Sequence, residues 1–274
     1  MTSLASLPKH PALRLRNSLM GSVLMLLLFS GCQISAQEPQ AEPQEDPQEL
    51  KREVKTDMAR GRYEQAANSL EKLIAEDDQY VDYFFTLADA RFMNAQMPEA
   101  IKAYDKSIEL QPVLKPRCWQ RGLAYYFNDQ FKLGKEQFEV HQTVNSQDVE
   151  NSVWHLLCNS RLVGVDEARK SMIPIRGDQR VPMPEVLEMF AGTGSIEKVL
   201  QAATKNSSAS GSRRDNQLYY AHLYIGLFHD MNGDTQKARE SMTEAVAVNP
   251  ISKSQLMGSV ADVYLRLHDP ENRN

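Results

Sequence analysis

The chain has 274 residues, enough for one sizeable solenoid or two small domains. Its 36 acids outnumber its 31 lysines and arginines, giving a formal net charge of −5. That balance argues against a nucleic-acid partner, which calls for a basic patch or stripe.

The first 32 residues read as a targeting segment to be set apart from the fold. Lys9, His10, Arg14 and Arg16 make a basic start, and Val23 to Phe29 an apolar run. The run is too short for the roughly 20 residues a spanning helix needs. It closes in Phe29-Ser30-Gly31-Cys32. Small residues at the two positions before a cysteine, directly after an apolar run, resemble the lipobox of bacterial lipoproteins. Phe29 stands where that motif usually has leucine. The resemblance implies cleavage before Cys32, a diacylglycerol on its thiol and Cys32 as the mature N-terminus. An ordinary secretory signal or an uncleaved anchor is the alternative. An acyl chain would tether the protein, since its burial contributes about 0.8 kcal/mol per methylene. Removing residues 1–31 takes away Lys9, Arg14 and Arg16 and no acids, leaving a body of charge −8. An anionic leaflet repels such a body. Gln33 to Glu49 is rich in Gln, Glu and Pro with almost no apolar side chains, so 32–49 is predicted to be a disordered spacer.

From residue 47 onward, small and large side chains recur in steps of 34. With position 1 at Pro47, Val81 and Lys115, position 8 is Val54, Ala88 and Gly122. Position 20 is Ala66, Ala100 and Gly134, and position 24 is Leu70, Tyr104 and Phe138. This period is the tetratricopeptide repeat (TPR) signature of two antiparallel helices per repeat. The fold is therefore predicted to be an all-α TPR superhelix. Repeats one to four occupy 50–182. Pro112 stops the second helix of repeat two, and Pro174 cuts that of repeat four. Cys118 and Cys158 fall at positions 4 and 10 of adjacent repeats, an offset of about 9 Å along parallel helices. A disulfide tolerates Cα separations only up to about 7 Å, so two buried free thiols are expected.

Between Gly177 and Asn216 the register lapses. This irregular insert (183–218) is predicted to hold one short apolar helix, Glu185 to Phe190. A second helix follows Gly192-Thr193-Gly194 with Ser195 as N-cap, and then a flexible loop, Asn206 to Arg214. The pattern returns in a last repeat from Tyr219, with Gly226, Gly233, Ala238, Ala245 and Pro250. Ser254 to Leu267 reads as a terminal capping helix covering the last exposed face.

Arg121-Gly122-Leu123-Ala124-Tyr125-Tyr126 and Leu223-Tyr224-Ile225-Gly226-Leu227, with Gly233-Asp234, resemble segments of NlpI-type bacterial TPR lipoproteins. So does the order of lipobox, acidic spacer, repeats, insert and last repeat. The resemblance implies a homodimeric periplasmic adaptor that brings murein hydrolases to a tail-specific protease or into cell-wall complexes. Gln33 is not the aspartate that retains lipoproteins in the inner membrane of enteric bacteria, which favours the outer membrane where those rules hold.

Catalytic patterns are sparse. His155 and Cys158 share a helix face with Cys118 a repeat away, but a closed zinc site wants four ligands. His222 and His229 are seven apart without a zinc-protease glutamate, and Gly192-Thr-Gly-Ser195 lacks the Lys-Ser/Thr of a phosphate loop. The insert offers Arg176, Asp178, Arg180, Glu185 and Glu188 without His, Cys or paired carboxylates. No catalytic residue, metal or cofactor is predicted, and an enzyme built in the insert is the remote alternative. The informative surface is the inner groove, lined by first helices. Phe85, Asp89, Phe92, Trp119, Leu123, Tyr126, Phe127, Trp154, Leu223 and Tyr224 are its expected partner-binding residues. Aromatic side chains supply most interface hot spots. Asp82, Gln120, Glu150 and Arg161 add polar neighbours that would select charge on a partner. Helices from 183–205 or a dimer mate could instead fill this wall, because large exposed apolar patches are rare. A scaffold lipoprotein for outer-membrane protein assembly or secretion is the second functional reading.

Overall fold

The structure is a computed structural model that describes residues 46–205, 211–248 and 255–269. Cys32, the targeting segment, the spacer up to residue 45 and the loop positions 206–210 lie outside the described residues. Among the described residues every regular element is helical.

Helices α1 (Pro47–Ala59) and α2 (Tyr63–Glu76) form the first hairpin, α3 (Val81–Met93) and α4 (Met97–Leu110) the second, α5 (Trp119–Phe127) and α6 (Phe131–His141) the third. Each packs against the next, and α6 passes the stack on to α7 (Val149–Val163). Local chemistry sets the starts. Asp46 accepts the Gln48 backbone N–H at 2.9 Å and Pro47 opens α1, a start signal hidden in the spacer-like composition. Residues 47–49, read as spacer, are therefore the first turn of a helix. Asp148 caps α7 by accepting the Glu150 N–H at 3.0 Å. The small slots have the expected reason. A Cβ added at Gly122 would lie 2.6 Å from Cζ of Phe138, and one at Gly226 would lie 2.9 Å from the Met242 methyl. Large residues at position 24 thus fill the space that small residues at position 8 leave open.

The insert departs from its sequence reading. Helix α8 (Val165–Lys170) is cut short as Pro174 foretold. Helix α9 (Met183–Ala191) then begins 34 residues after α7, and α10 (Ile196–Thr204) completes a fifth hairpin. The pitch survives where the consensus lapses. These helices have only nine residues each, and Phe190 takes the slot that Ala88, Gly122 and Gly226 hold in three of the other repeats. Close approach moves to the turn, where Gly192 is left-handed (φ +82°) and a Cβ at Gly194 would lie 2.7 Å from the Met189 nitrogen. Ser195 accepts the Lys198 N–H at 3.4 Å.

Helix α11 (Gly211–Met231) runs back eight residues beyond Tyr219, so Gly211–Arg214, expected in a loop, are helical. The buried face of α11 begins at Tyr219, and the upstream turns extend a helix already nucleated there. Helix α12 (Thr235–Val248) pairs with it, and α13 (Leu256–Leu267) follows. α13 was expected to cap the end of the stack. It packs on α12 but also against α3 and α5, and so lies over the inner wall of the early repeats. Leu256, Val260, Val263 and Tyr264 form its buried face at helical spacing.

Candidate protein-binding groove

The expected groove residues sit together on the inner wall, and most are buried within the chain. Tyr126 on α5 is the centre. Its ring makes edge contacts with Phe127 at 5.4 Å, Phe131 at 5.7 Å and Trp154 at 5.3 Å. Phe92 reaches the same cluster through Phe127 at 6.0 Å, and Trp154 stacks on Phe138 at 6.5 Å. Phe92, Leu123, Tyr126 and Trp154 are buried, and Phe127 half-buried. Phe85 is half-buried with its ring edge-on to Tyr104 at 5.5 Å. Trp119, also half-buried, walls a cavity of about 180 Å³ together with Trp154 and Met257 of α13. Leu223 and Tyr224 are buried farther along, where Phe190 of α9 meets Tyr224 edge-on at 6.4 Å. The aromatic wall is thus largely covered, with a cleft of about 620 Å³ left between Tyr126, Phe127, Phe131 and Asp230 and the end of α13 at Leu267 and His268. α13 covers the early repeats, and α9 covers the Tyr224 end. The 183–205 segment accounts for only the second of these.

The polar neighbours are also engaged internally. Buried Asp230 of α11 accepts Tyr126 Oη at 3.0 Å, Tyr264 Oη at 2.9 Å and Arg161 Nη2 at 2.5 Å. One carboxylate thereby ties α5, α7, α11 and α13 together. Asp89 accepts Tyr104 Oη at 2.5 Å, and burial pushes its carboxyl up to about 7 against the lowering effect of that hydroxyl. Glu150 accepts Tyr224 Oη at 3.0 Å and Arg180 Nη1 at 2.9 Å, and burial raises its carboxyl as well. Arg180 also binds Asp148 and Asp178, so the ionisable groups at the start of the insert close into an ion-pair cluster. Asp82 remains exposed. Gln120 is half-buried with its carbonyl oxygen unpaired.

The thiols are free and buried. Burial pushes Cys118 up to about 12 and Cys158 higher still, which makes both poor nucleophiles and poor ligands near neutrality. His155 Nε2 lies 3.3 Å from Glu139, and burial lowers its pKa. Among the described residues no three His, Cys, Asp or Glu side chains gather as a metal site. No described helix is long and apolar enough to cross a membrane.

Sequence reading places Asp230 on the groove face, at position 12 of the last repeat, where Phe92, Tyr126 and Ser160 stand in repeats two to four. It does not place Tyr264 or Arg266 on this wall. Tyr264 continues the apolar face begun by Leu256 and Val260, which shows an amphipathic helix but not its seat.

Residues 52–113 match the tetratricopeptide repeat family model. The fold is all-helical, with stacked TPR-type helix pairs. No curated protein matches the chain. Among solved structures, a tetratricopeptide repeat protein from Parabacteroides merdae is 14% identical, with a TM-score of 0.49 over 83% of this chain and 85% of its own. MamA from Desulfovibrio magneticus is 12% identical, with a TM-score of 0.44 over 74% and 94%. YrrB, described as a TPR protein with an unusual peptide-binding site, is 14% identical, with a TM-score of 0.40 over 81% and 94%.

Proposed function

We propose that this TPR chain is a non-enzymatic adaptor, tethered to the membrane through lipidated Cys32 and facing the periplasm, outer membrane favoured. Its clients are murein hydrolases or a periplasmic protease, as in the NlpI-type lipoproteins it resembles, and it acts as a homodimer. The observation that carries the holder role is the inner wall itself. Tyr126, Phe127, Phe131 and Trp154 converge on one face of a TPR stack, and that face receives a helix. The apolar run ending at Cys32 supports the tether.

Two measurements test this reading. Metabolic labelling with a palmitate analogue should mark the wild-type chain and not Cys32→Ala, which should leave the membrane fraction. Label retained on the variant would sink the lipid tether. The full chain, purified in detergent and used as bait against cell-envelope extract, should enrich murein hydrolases or a periplasmic protease. Enrichment of β-barrel assembly components instead would transfer the protein to outer-membrane assembly.

A further inference from the structure

The helix lying over the inner wall shows what chemistry that wall accepts. α13 is twelve residues long, and a helix of that length is marginal in water on its own, so its order depends on its seat. The seat holds it at three levels. Near its start, Tyr219 Oη donates to the Met257 carbonyl at 2.6 Å. In its middle, Val260 and Val263 are fully buried and Tyr264 Oη donates to Asp230. Toward its end, Arg266 Nη2 donates to the carbonyl of Met93, the last residue of α3. That carbonyl is one of the acceptors a helix C-terminus leaves without an intrahelical partner, and the helix dipole makes it a natural cation site. The recognition elements are therefore an aromatic wall, a buried carboxylate and the carbonyl end of a helix.

We infer that the inner wall is a receptor for one kind of ligand, an amphipathic helix carrying a tyrosine and, two residues later, an arginine on an aliphatic face. α13 is the ligand held in cis, and a client helix of the same chemistry displaces it. This rests on the adaptor reading and names its client class. The cis helix taxes client binding by the fraction of molecules in which the seat is vacant. Changes confined to α13 that loosen it must therefore tighten binding in trans without touching the wall.

The test uses the full chain and a fluorescein-labelled synthetic peptide of residues 255–269, read by anisotropy. Val263→Glu places a charge on the buried face of α13 and leaves the wall intact. The Val263→Glu chain should bind the peptide at least tenfold more tightly than the wild type does. A peptide carrying Tyr264→Phe should bind that variant at least fivefold more weakly, the loss of one hydrogen bond. A Val263→Glu chain with native helical circular dichroism that binds the peptide no better than a scrambled sequence would overturn the inference. Should that variant not fold, Tyr264→Phe in the chain, which keeps every apolar contact of α13, should tighten peptide binding two- to fivefold. Unchanged affinity there overturns the inference equally. A concentration-dependent dimer of the wild type that the peptide dissociates would give the seat to a second copy and overturn the client assignment. Clients captured from the envelope by a chain that ignores the peptide would leave the adaptor reading standing and remove this one alone.

Discussion

Two short helical pieces complete the stack; both bury apolar side chains, and they differ in how far polar groups at long range add to that hold. The α9–α10 hairpin stays on the 34-residue step and is sealed mainly by apolar contact, with Arg169 Nε of α8 donating to the Phe190 carbonyl at 3.0 Å. Phe190 is fully buried, edge-on to Tyr224 at 6.4 Å and to Phe228 at 5.5 Å. α13 leaves the step, returns to the early repeats and adds to its buried Val260 and Val263 polar fastenings at Tyr264, Met257 and Arg266. Apolar sealing is non-directional and scales with buried area, so it favours a permanent joint. A joint with its polar groups at defined points releases when one acceptor is lost or another donor competes for it. On the inference above, the same inner wall is closed at one end by a hairpin on the repeat step and at the other by a helix whose polar fastenings a client can take over.

The largest way to break this contrast is Phe190→Ala. It removes the ring that fills the fifth hairpin and should cost about 3–5 kcal/mol, seen as a lowered midpoint of one cooperative denaturant transition. A separate early transition, with the rest of the stack unaffected, would show α9–α10 to be as dispensable as α13. Asp230→Asn comes next. It removes the charge that Arg161 faces and leaves one amide oxygen where two carboxylate oxygens served Tyr126, Tyr264 and Arg161. The Arg161 side chain keeps a third of its surface in water, so the expected loss is about 2–3 kcal/mol rather than that of a fully buried pair. Hydrogen exchange should locate the damage. Amides of 256–267 lose protection first, while those of 183–204 keep theirs. Equal loss in both segments would refute the distinction between the two joints.

How much of this was legible follows the range of the contacts involved. The hairpins of repeats one to three could be read because Gly122 and Phe138, or Ala88 and Tyr104, must alternate small with large wherever two helices touch. That constraint is local and recurs. The fifth hairpin could not be read in the same way, because Phe190 fills the slot and Gly194 in the turn takes over the close approach. Its two short helices and the turn between them, Gly192 to Ser195, showed in the sequence, but their place on the 34-residue step did not. The aromatic inner wall was legible as a face, since Phe85 and Phe92, like Trp119 and Tyr126, lie seven residues or two helical turns apart. Its cover was not. The contacts that close it join Tyr126 to Asp230 across 104 positions and Arg266 to Met93 across 173, and no periodicity connects such pairs.

The smallest effect, and the one that sharpens the comparison by pH, is at Asp89 on the α3 wall. Its carboxyl ionises near 3.8 in the unfolded chain and at about 7 in the folded one, because burial penalises the charge more than the Tyr104 hydroxyl relieves it. Between those values the folded state holds a proton that the unfolded state has lost, so raising the pH favours unfolding. Asp89→Asn keeps an acceptor for Tyr104 and cannot ionise. The variant should match the wild type near pH 4 and gain on it steadily up to pH 7. Above that it should level off at about 1–2 kcal/mol more stable, short of the full shift because the Asp89 side chain keeps some contact with solvent. Comparing the two chains at each pH cancels the opposite slopes contributed by His155, His222 and His229, whose pKa values burial lowers, and the like slope from Glu150. Urea midpoints at pH 4, 6 and 8 decide it. A difference that is constant across the three would mean that Asp89 is ionised in the folded wall, and its bond from Tyr104 would then be a charged anchor at the α3 side of the seat.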